Sequence, residues 1–252
     1  SKIEEKITQK TKAIIPVHFT GQPVDLDEIH RIAKEYNLVV IEDAAHALGA
    51  SYKGEKIGSL SDMTMFSFHP VKHITSGEGG VITTNNENYY QKLLQFRNHG
   101  ITRDSEKMTK TDGPWYYEMQ FLGFNYRMTD IHAALGSSQL KKMEEVITPY
   151  QHKNGSSSWH LYILKLNLEK LNVDRKSVFE ALQNENIGVN VHYIPVHLLP
   201  YYQELGYKKG ICTNAEELYE AIITLPLFPK MTKEDVEDVI AAVKKVINNS
   251  RK

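Results

Sequence analysis

The sequence predicts an α/β fold: a domain with a mostly parallel sheet over residues 1–148 and a small α+β domain over 149–252. Three observations carry this. Leu38-Val39-Val40-Ile41 is apolar without interruption, the pattern of a strand buried on both faces. A short apolar run and a helix-spaced segment precede it, and strand-helix-strand order favours parallel pairing. Pro149 to Ser158 is a break in composition, after which the elements become short and mixed.

Taken in order, Ala13 to Phe19 reads as the first strand. Pro16 removes one backbone donor there and marks an edge or irregular position. Thr20-Gly21-Gln22-Pro23 is a turn by its Gly/Pro chemistry. From Asp25 to Tyr36, Leu26, Ile29, Ile32 and Ala33 share one helical face, while Asp25, Asp27 and Glu28 crowd the end where the helix dipole favours anions. The buried strand then runs into Glu42-Asp43-Ala44-Ala45-His46-Ala47-Leu48-Gly49, and Lys53-Gly54-Glu55-Lys56 reads as a hairpin turn. Met63 to Phe68 is β-prone and stops at His69-Pro70; Lys72, Thr75, Ser76 and a Gly77-Glu78-Gly79-Gly80 turn follow. Gly79 to Thr84 is a further strand and Glu87 to His99 a helix. Ile101 to Trp115 is a polar loop, and Gly123 to Met128 leads into a helix from about Thr129. Ala133, Ala134 and Gly136 let that helix pack closely.

Beyond the break, Trp159 to Leu166 reads as a strand, Ser177 to Asn184 as a helix and Val189 to Tyr193 as a strand. Ile194 to Tyr207 is rich in prolines and aromatics, and Leu225 to Pro229 is extended. Thr232-Lys233-Glu234-Asp235 can cap a last helix whose Val236, Val239, Ile240 and Val243 fall on one face.

Composition narrows the function. Lys+Arg is 30 against Asp+Glu 31, a formal net charge of -1, so no basic surplus points to nucleic acid. No apolar run is long enough to cross a bilayer and no signal-peptide pattern opens the chain. Cys212 is the only cysteine, which fits a reducing compartment. A cytoplasmic protein is the expectation.

The chemistry concentrates at two strand ends. In α/β sheets ligands bind at the carboxyl ends of strands. A lysine in that position, Lys72, held between an apolar strand and a glycine turn, loses hydration; its pKa should fall and its amine can then act as a nucleophile toward an aldehyde. Most lone lysines are solvated surface charges, so the neighbourhood decides. Asp43 is either a turn residue capping a helix or an anion for a protonated ring nitrogen, which pyridoxal chemistry needs. His46 can lie near such a ring, though a packed, hydrogen-bonded histidine is the commoner case. Ser67 can donate to a phosphate. The glycine turn can let backbone approach a ligand, but no Gly-Lys-Ser/Thr completes a Walker loop. His69 and His73 have the spacing of two metal ligands on a helix, and with Asp43 and His46 they suggest a metal hydrolase as another reading, with poor ligand geometry.

These segments, Glu42 to Gly49, Phe66 to Lys72 and Gly77 to Gly80, together with Pro16 to Pro23 and Gly123 to Asp130, resemble the DegT-type sugar aminotransferases. The resemblance covers nearly the whole chain. It implies a fold-type-I aminotransferase large domain, a pyridoxal 5'-phosphate cofactor, and a homodimer whose active sites are shared between subunits. By position it implies that Lys72 holds the cofactor and shuttles a proton, Asp43 pairs with the ring nitrogen, His46 lies by the ring and Ser67 binds the phosphate. Asn125 would reach the phosphate of the partner's cofactor, and His192 and Tyr193 would line the substrate pocket. Further likeness in Ser67 to Thr75, Gly113 to Gln120 and Val191 to His197 is to the branch acting in pseudaminic acid synthesis. That implies glutamate as amino donor and a UDP-linked 4-keto-6-deoxy amino sugar as acceptor, in pseudaminic acid or related surface-glycan synthesis. No metal, nucleic acid or membrane partner is implied.

The chain departs from the family pattern in two places. The family carries a portion ahead of Ala13, including a hydroxyl-rich loop at a helix N-terminus that grips the phosphate. It also has a longer helix and linker where this chain has Lys141 to Ser158. Two other readings on the same scaffold therefore stand beside the transaminase: a cofactor-impaired binding or regulatory protein, and a sugar dehydratase. Lys72 speaks against the dehydratase, because those enzymes replace that lysine with histidine.

Overall fold

The computed structural model describes residues 2–141 and 154–252. They form two compact units, Ser1–His160 and Leu161–Lys252.

In the first unit the expected strand at Ala13 is short. β1 (Ala13–Ile14) pairs in parallel with β2 (Val39–Asp43), Ala13 opposite Val39. Pro16 interrupts it, and pairing resumes only as a single bridge between Val17 and Asp43. Between them lies α1 (Leu26–Glu35), capped by Asp25, whose carboxylate accepts the Glu28 N–H. Leu26, Ile29, Ile32 and Ala33 are its buried face, as the spacing requires. Each large side chain buried this way stabilises the fold by about 1.5–3 kcal/mol. β3 (Ser51–Tyr52) and β4 (Glu55–Lys56) make the hairpin, with Lys53 and Gly54 both at positive φ. β5 (Met63–Ser67) pairs in parallel with β2, and β6 (Gly80–Thr83) returns antiparallel beside β5. The sheet order is β1-β2-β5-β6, three parallel strands with one antiparallel edge.

α2 (Glu87–Phe96) starts at Asn86, whose side chain accepts the N–H groups of Asn88 and Tyr89. Part of the expected 101–115 loop is ordered by pairing of β7 (Ile101–Thr102) with β8 (Glu118–Met119). α3 (Asp130–Leu140) begins where expected, with Thr129 accepting the His132 N–H. β9 (Gly155–Ser156) pairs antiparallel with β3. Residues 154–160 therefore belong to the first unit, whereas the sequence assigned them to the second. The expected boundary at 148/149 lies outside the described residues.

In the second unit β10 (Tyr162–Lys165) begins three residues later than expected, because the His160 N–H is taken by Thr20 O. α4 (Arg175–Asn184) is capped by Asp174. The expected strand Val189–Tyr193 is only a bridge from Asn190 to Thr224. α5 (Pro200–Glu204) is short, and α6 (Thr213–Ala221) was not foreseen. β11 (Ile222–Leu225) pairs antiparallel with β10. α7 (Lys233–Asn249) carries the expected capping box of Thr232 and Asp235. Leu166, Val178, Leu182, Ile223, Ala242 and Val246 are the centre of this unit's core.

Candidate active site

Asp43 is the last residue of β2 and Ser67 the last of β5. The strands are parallel, with Asp43 opposite Met65, so both residues sit at one carboxyl edge of the sheet. Asp43 is held on both sides of its peptide: its N–H donates to Pro16 O at 2.8 Å and its carbonyl accepts the His18 N–H at 3.0 Å. Oδ1 accepts the Ala45 N–H at 3.1 Å. Oδ2 has no hydrogen-bond partner among the described residues. Ser67 Oγ accepts the His69 N–H at 3.4 Å, and no described residue accepts its proton.

The preceding residue, Glu42, points to the opposite face by strand alternation and is fully buried with His18. His18 Nδ1 accepts the Val24 N–H at 3.2 Å, so the neutral ring carries its proton on Nε2. That Nε2 lies 2.6 Å from Glu42 Oε2, and Thr64 donates to Oε1 at 3.1 Å. Burial pushes the Glu42 carboxyl up, but the hydrogen bonds from His18, Ser61 and Thr64 outweigh it and hold it below the ordinary value.

After Ser67 the chain folds into the turn that carries Lys72. Lys72 N–H donates to His69 O at 2.9 Å, and Ser76 N–H and Thr75 Oγ1 both donate to Phe68 O. Gln139 of α3 accepts the Thr75 N–H at 2.9 Å, so α3 braces the turn. Lys72 is half-buried. Burial holds its amine below the ordinary lysine value; the field of Asp43 opposes this without reversing it. That direction is the one the sequence predicts. Two of the glycines have a packing role. A Cβ on Gly80 would come within 2.7 Å of Phe66 O, and one on Gly79 within 2.6 Å of Ser76 Oγ and the Met128 methyl. They let the β5–β6 hairpin close on the protein itself.

His46 is buried beside this edge. Its Nδ1 accepts the Thr20 N–H at 3.3 Å, which places the proton of the neutral ring on Nε2. The His160 ring lies 4.2 Å from it, centre to centre, and the His73 ring 5.0 Å from His160. Ser158 Oγ donates to His46 O at 2.5 Å. Gly21 is the hinge of this packing. Its φ is +98°, and a Cβ there would meet Ser158 Oγ at 2.5 Å and His46 O at 2.8 Å. Gly21→Ala is expected to cost about 2–4 kcal/mol from left-handed strain and overpacking together, read as a lower denaturant midpoint at unchanged slope.

The remaining expected residues are Asn125, His192 and Tyr193. Asn125 is exposed on a segment tied to the end of α2 by Phe124 N–H to Phe96 O and Tyr126 N–H to Arg97 O. No hydrogen bond among the described residues joins it to Asp43, Ser67 or Lys72. His192 and Tyr193 are in the second unit, where His192 Nδ1 is 2.9 Å from Thr224 Oγ1 and the two rings meet edge to face. Among the described residues no group of three His, Cys, Asp or Glu is arranged to hold a metal ion. His69 is exposed near Glu78, while His73 Nε2 donates to Ser158 O at 3.0 Å. The sequence reading did not single out His18, Ser158 or His160, and it treated Glu42 only as part of a motif. Nothing in the local pattern around 158–160 signals its return to the Thr20 turn.

Comparison with known proteins agrees with this geometry. The DegT/DnrJ/EryC1/StrS aminotransferase family matches residues 1–153 and 145–244. Protein MJ1066 of Methanocaldococcus jannaschii, whose function is uncharacterised, is 48% identical over 99% of this chain and 70% of its own length. Spore coat polysaccharide biosynthesis protein SpsC of Bacillus subtilis is 39% identical, again over 99% of this chain and 70% of its own length. The structure of Helicobacter pylori PseC, an aminotransferase involved in the biosynthesis of pseudoaminic acid, superposes with a TM-score of 0.85. It is 30% identical and covers 98% of this chain and 70% of its own. The parallel sheet is thus that of a fold-type-I aminotransferase, and the chain belongs to the DegT/DnrJ/EryC1/StrS family of pyridoxal-phosphate-dependent sugar aminotransferases.

Proposed function

We propose that Lys72, Asp43, His46 and Ser67 are the cofactor cradle of a nucleotide-sugar transaminase. One observation carries this reading: a half-buried lysine of lowered pKa faces a carboxylate at the carboxyl edge of the same sheet. The residues suit pyridoxal phosphate. Asp43 Oδ2 and the Ser67 proton are without partners among the described residues, which matches a protonated ring nitrogen and a phosphate. When bound, pyridoxal phosphate supplies an aldehyde for amine condensation and a ring that withdraws electrons. Lys72 Nζ would be the amine that holds it and the group that moves a proton at the reacting carbon. Asp43 keeps the ring nitrogen protonated. His46 would lie against the ring and Ser67 would donate to the phosphate.

The substrate reading rests on likeness to PseC and SpsC. Glutamate is the amino donor, and a UDP-linked 4-keto-6-deoxy amino sugar is the acceptor, with His192 and Tyr193 lining its pocket. The product enters pseudaminic acid or a related surface glycan. The enzyme works in the cytoplasm; no helix among the described residues is long and apolar enough to cross a membrane. It acts as a homodimer in which Asn125 serves the partner's cofactor. Asn125 sits among exposed apolar side chains, Leu122, Phe124, Tyr126 and Ile131, of the kind an interface covers.

Incubation with pyridoxal phosphate, borohydride reduction and peptide mapping test the cradle. The expected result is one pyridoxyl label, on Lys72. A folded protein that takes up no label at Lys72 would refute the assignment. Amino transfer from glutamate to a UDP-4-keto-6-deoxy-hexosamine then checks the substrate class.

A further inference from the structure

We propose that residues 157–160 form a positioning strap, in which the His160 ring fixes the orientation of His46 against the cofactor; this rests on the reading of Lys72, Asp43 and His46 as the cradle. The strap begins with Ser158, which is bonded in three directions. Its N–H donates to Gly21 O at 3.1 Å, its hydroxyl to His46 O at 2.5 Å, and its carbonyl accepts from His73 Nε2 at 3.0 Å. His160 continues it, donating its N–H to Thr20 O at 3.0 Å. One short segment therefore ties together the Thr20 turn, the turn carrying His46 and the turn carrying Lys72 and His73.

The rings complete the device. His160 sits 4.2 Å from His46 and 5.0 Å from His73, both tilted, so it separates two imidazoles that belong to two different turns. The protons on those flanking rings are fixed. His46 accepts the Thr20 N–H on Nδ1 and so carries hydrogen on Nε2. His73 donates from Nε2 to a carbonyl, and its Nδ1 is buried without a partner among the described residues. Burial pushes the His73 pKa down, and the neighbouring Lys72 charge acts in the same direction. His160 thus packs between two imidazole faces from two turns, and its ring fills the space between them. Removing the ring opens space on the buried side of His46, which then turns and exchanges tautomers. Another flat ring refills the space.

This separates two variants. His160→Ala is expected to weaken pyridoxal phosphate binding roughly ten- to a hundredfold, the scale of a small misplacement of a positioned group. In the cofactor-free protein the imidazole ¹⁵N spectrum of His46 should pass from the Nε2–H tautomer to a mixture. His160→Phe should keep both the tautomer and an affinity within a few-fold of the starting protein. Ser158→Ala, which deletes only the hydroxyl bond to His46 O, should move the same ¹⁵N signal and is the milder change if His160→Ala folds poorly. The starting protein is reduced with borohydride alongside. If it is labelled at Lys72 while all three variants match it in affinity and tautomer, the strap is refuted and the cradle stands. Equal losses in His160→Ala and His160→Phe also refute the ring's role. No label on the starting protein overturns the cradle and this inference with it.

Discussion

Replacing Lys72 by alanine is expected to abolish the borohydride-stable label and lower amino transfer by roughly three orders of magnitude or more, with little change in stability. The side chain is half-buried and its backbone bond to His69 O survives any substitution, so the turn persists. Lys72→Arg should be as inactive as alanine. It keeps the charge beside Asp43 but offers no amine able to lose its proton. The pair of variants thus distinguishes a nucleophile from a charge that merely binds phosphate; activity surviving in the arginine variant would sink the nucleophile reading. The pH dependence has a fixed sign. Burial lowers the Lys72 pKa, so at any given pH more of it is neutral than of a surface lysine. Labelling of Lys72 should therefore reach its plateau at lower pH than labelling of exposed lysines. Asp43 opposes the shift, so Asp43→Asn should move that plateau lower still, read by rapid-quench reduction across a pH series. A plateau moving upward would contradict the electrostatics.

The edge that carries Lys72 was legible because its signals are local. A continuous apolar strand, an acidic helix start and a hydroxyl- and glycine-bearing turn each declare themselves within ten residues. β2, β5, α1 and the Lys72 turn lie where the pattern puts them. What escaped depends on contacts far apart in sequence. His18 reaches Glu42 across 24 residues, and Ser158 reaches His46 across 112. No periodicity encodes such pairs. The glycine turn shows a different limit. Its composition fits ligand approach and tight hairpin closure equally well, and the closure shows only in the 2.7 Å gap between a Gly80 Cβ and Phe66 O. The expected strand at 189–193 failed because, among the described residues, one bridge to Thr224 is all the pairing it finds.

The pair beneath the site yields the largest effect on stability. His18 and Glu42 are each 0% exposed, and His18 Nε2–H is one of two side chains donating to the carboxylate at hydrogen-bond distance. His18→Ala takes the largest of its stabilising partners from that carboxylate and leaves it in a dry interior with only the Thr64 and Ser61 hydroxyls, and should cost about 3–5 kcal/mol, the usual result of breaking a buried charged pair. Glu42→Gln should cost only about 1 kcal/mol, because its amide oxygen still accepts from His18. Exchanging both residues for apolar ones of similar size should fall between these or below them. The penalty must also depend on pH. Glu42 is held below its ordinary pKa in the folded protein, so its contribution is whole above the unfolded value of about 4.3 and fades as pH falls through the lowered one. The difference between the original protein and His18→Ala, measured by denaturant unfolding, should be greatest near neutrality and shrink in acid as the orphaned carboxyl protonates. The same variant should loosen the site, because the ring it removes is bonded to Glu42, the residue directly before Asp43 on β2, and accepts the Val24 N–H. Weaker pyridoxal phosphate binding at temperatures well below the melting transition would separate that positional effect from unfolding. A cost below about 1 kcal/mol at neutral pH would show that water or a neighbouring group takes over the carboxylate, and the buried pair would lose its claim to hold the strand end in place.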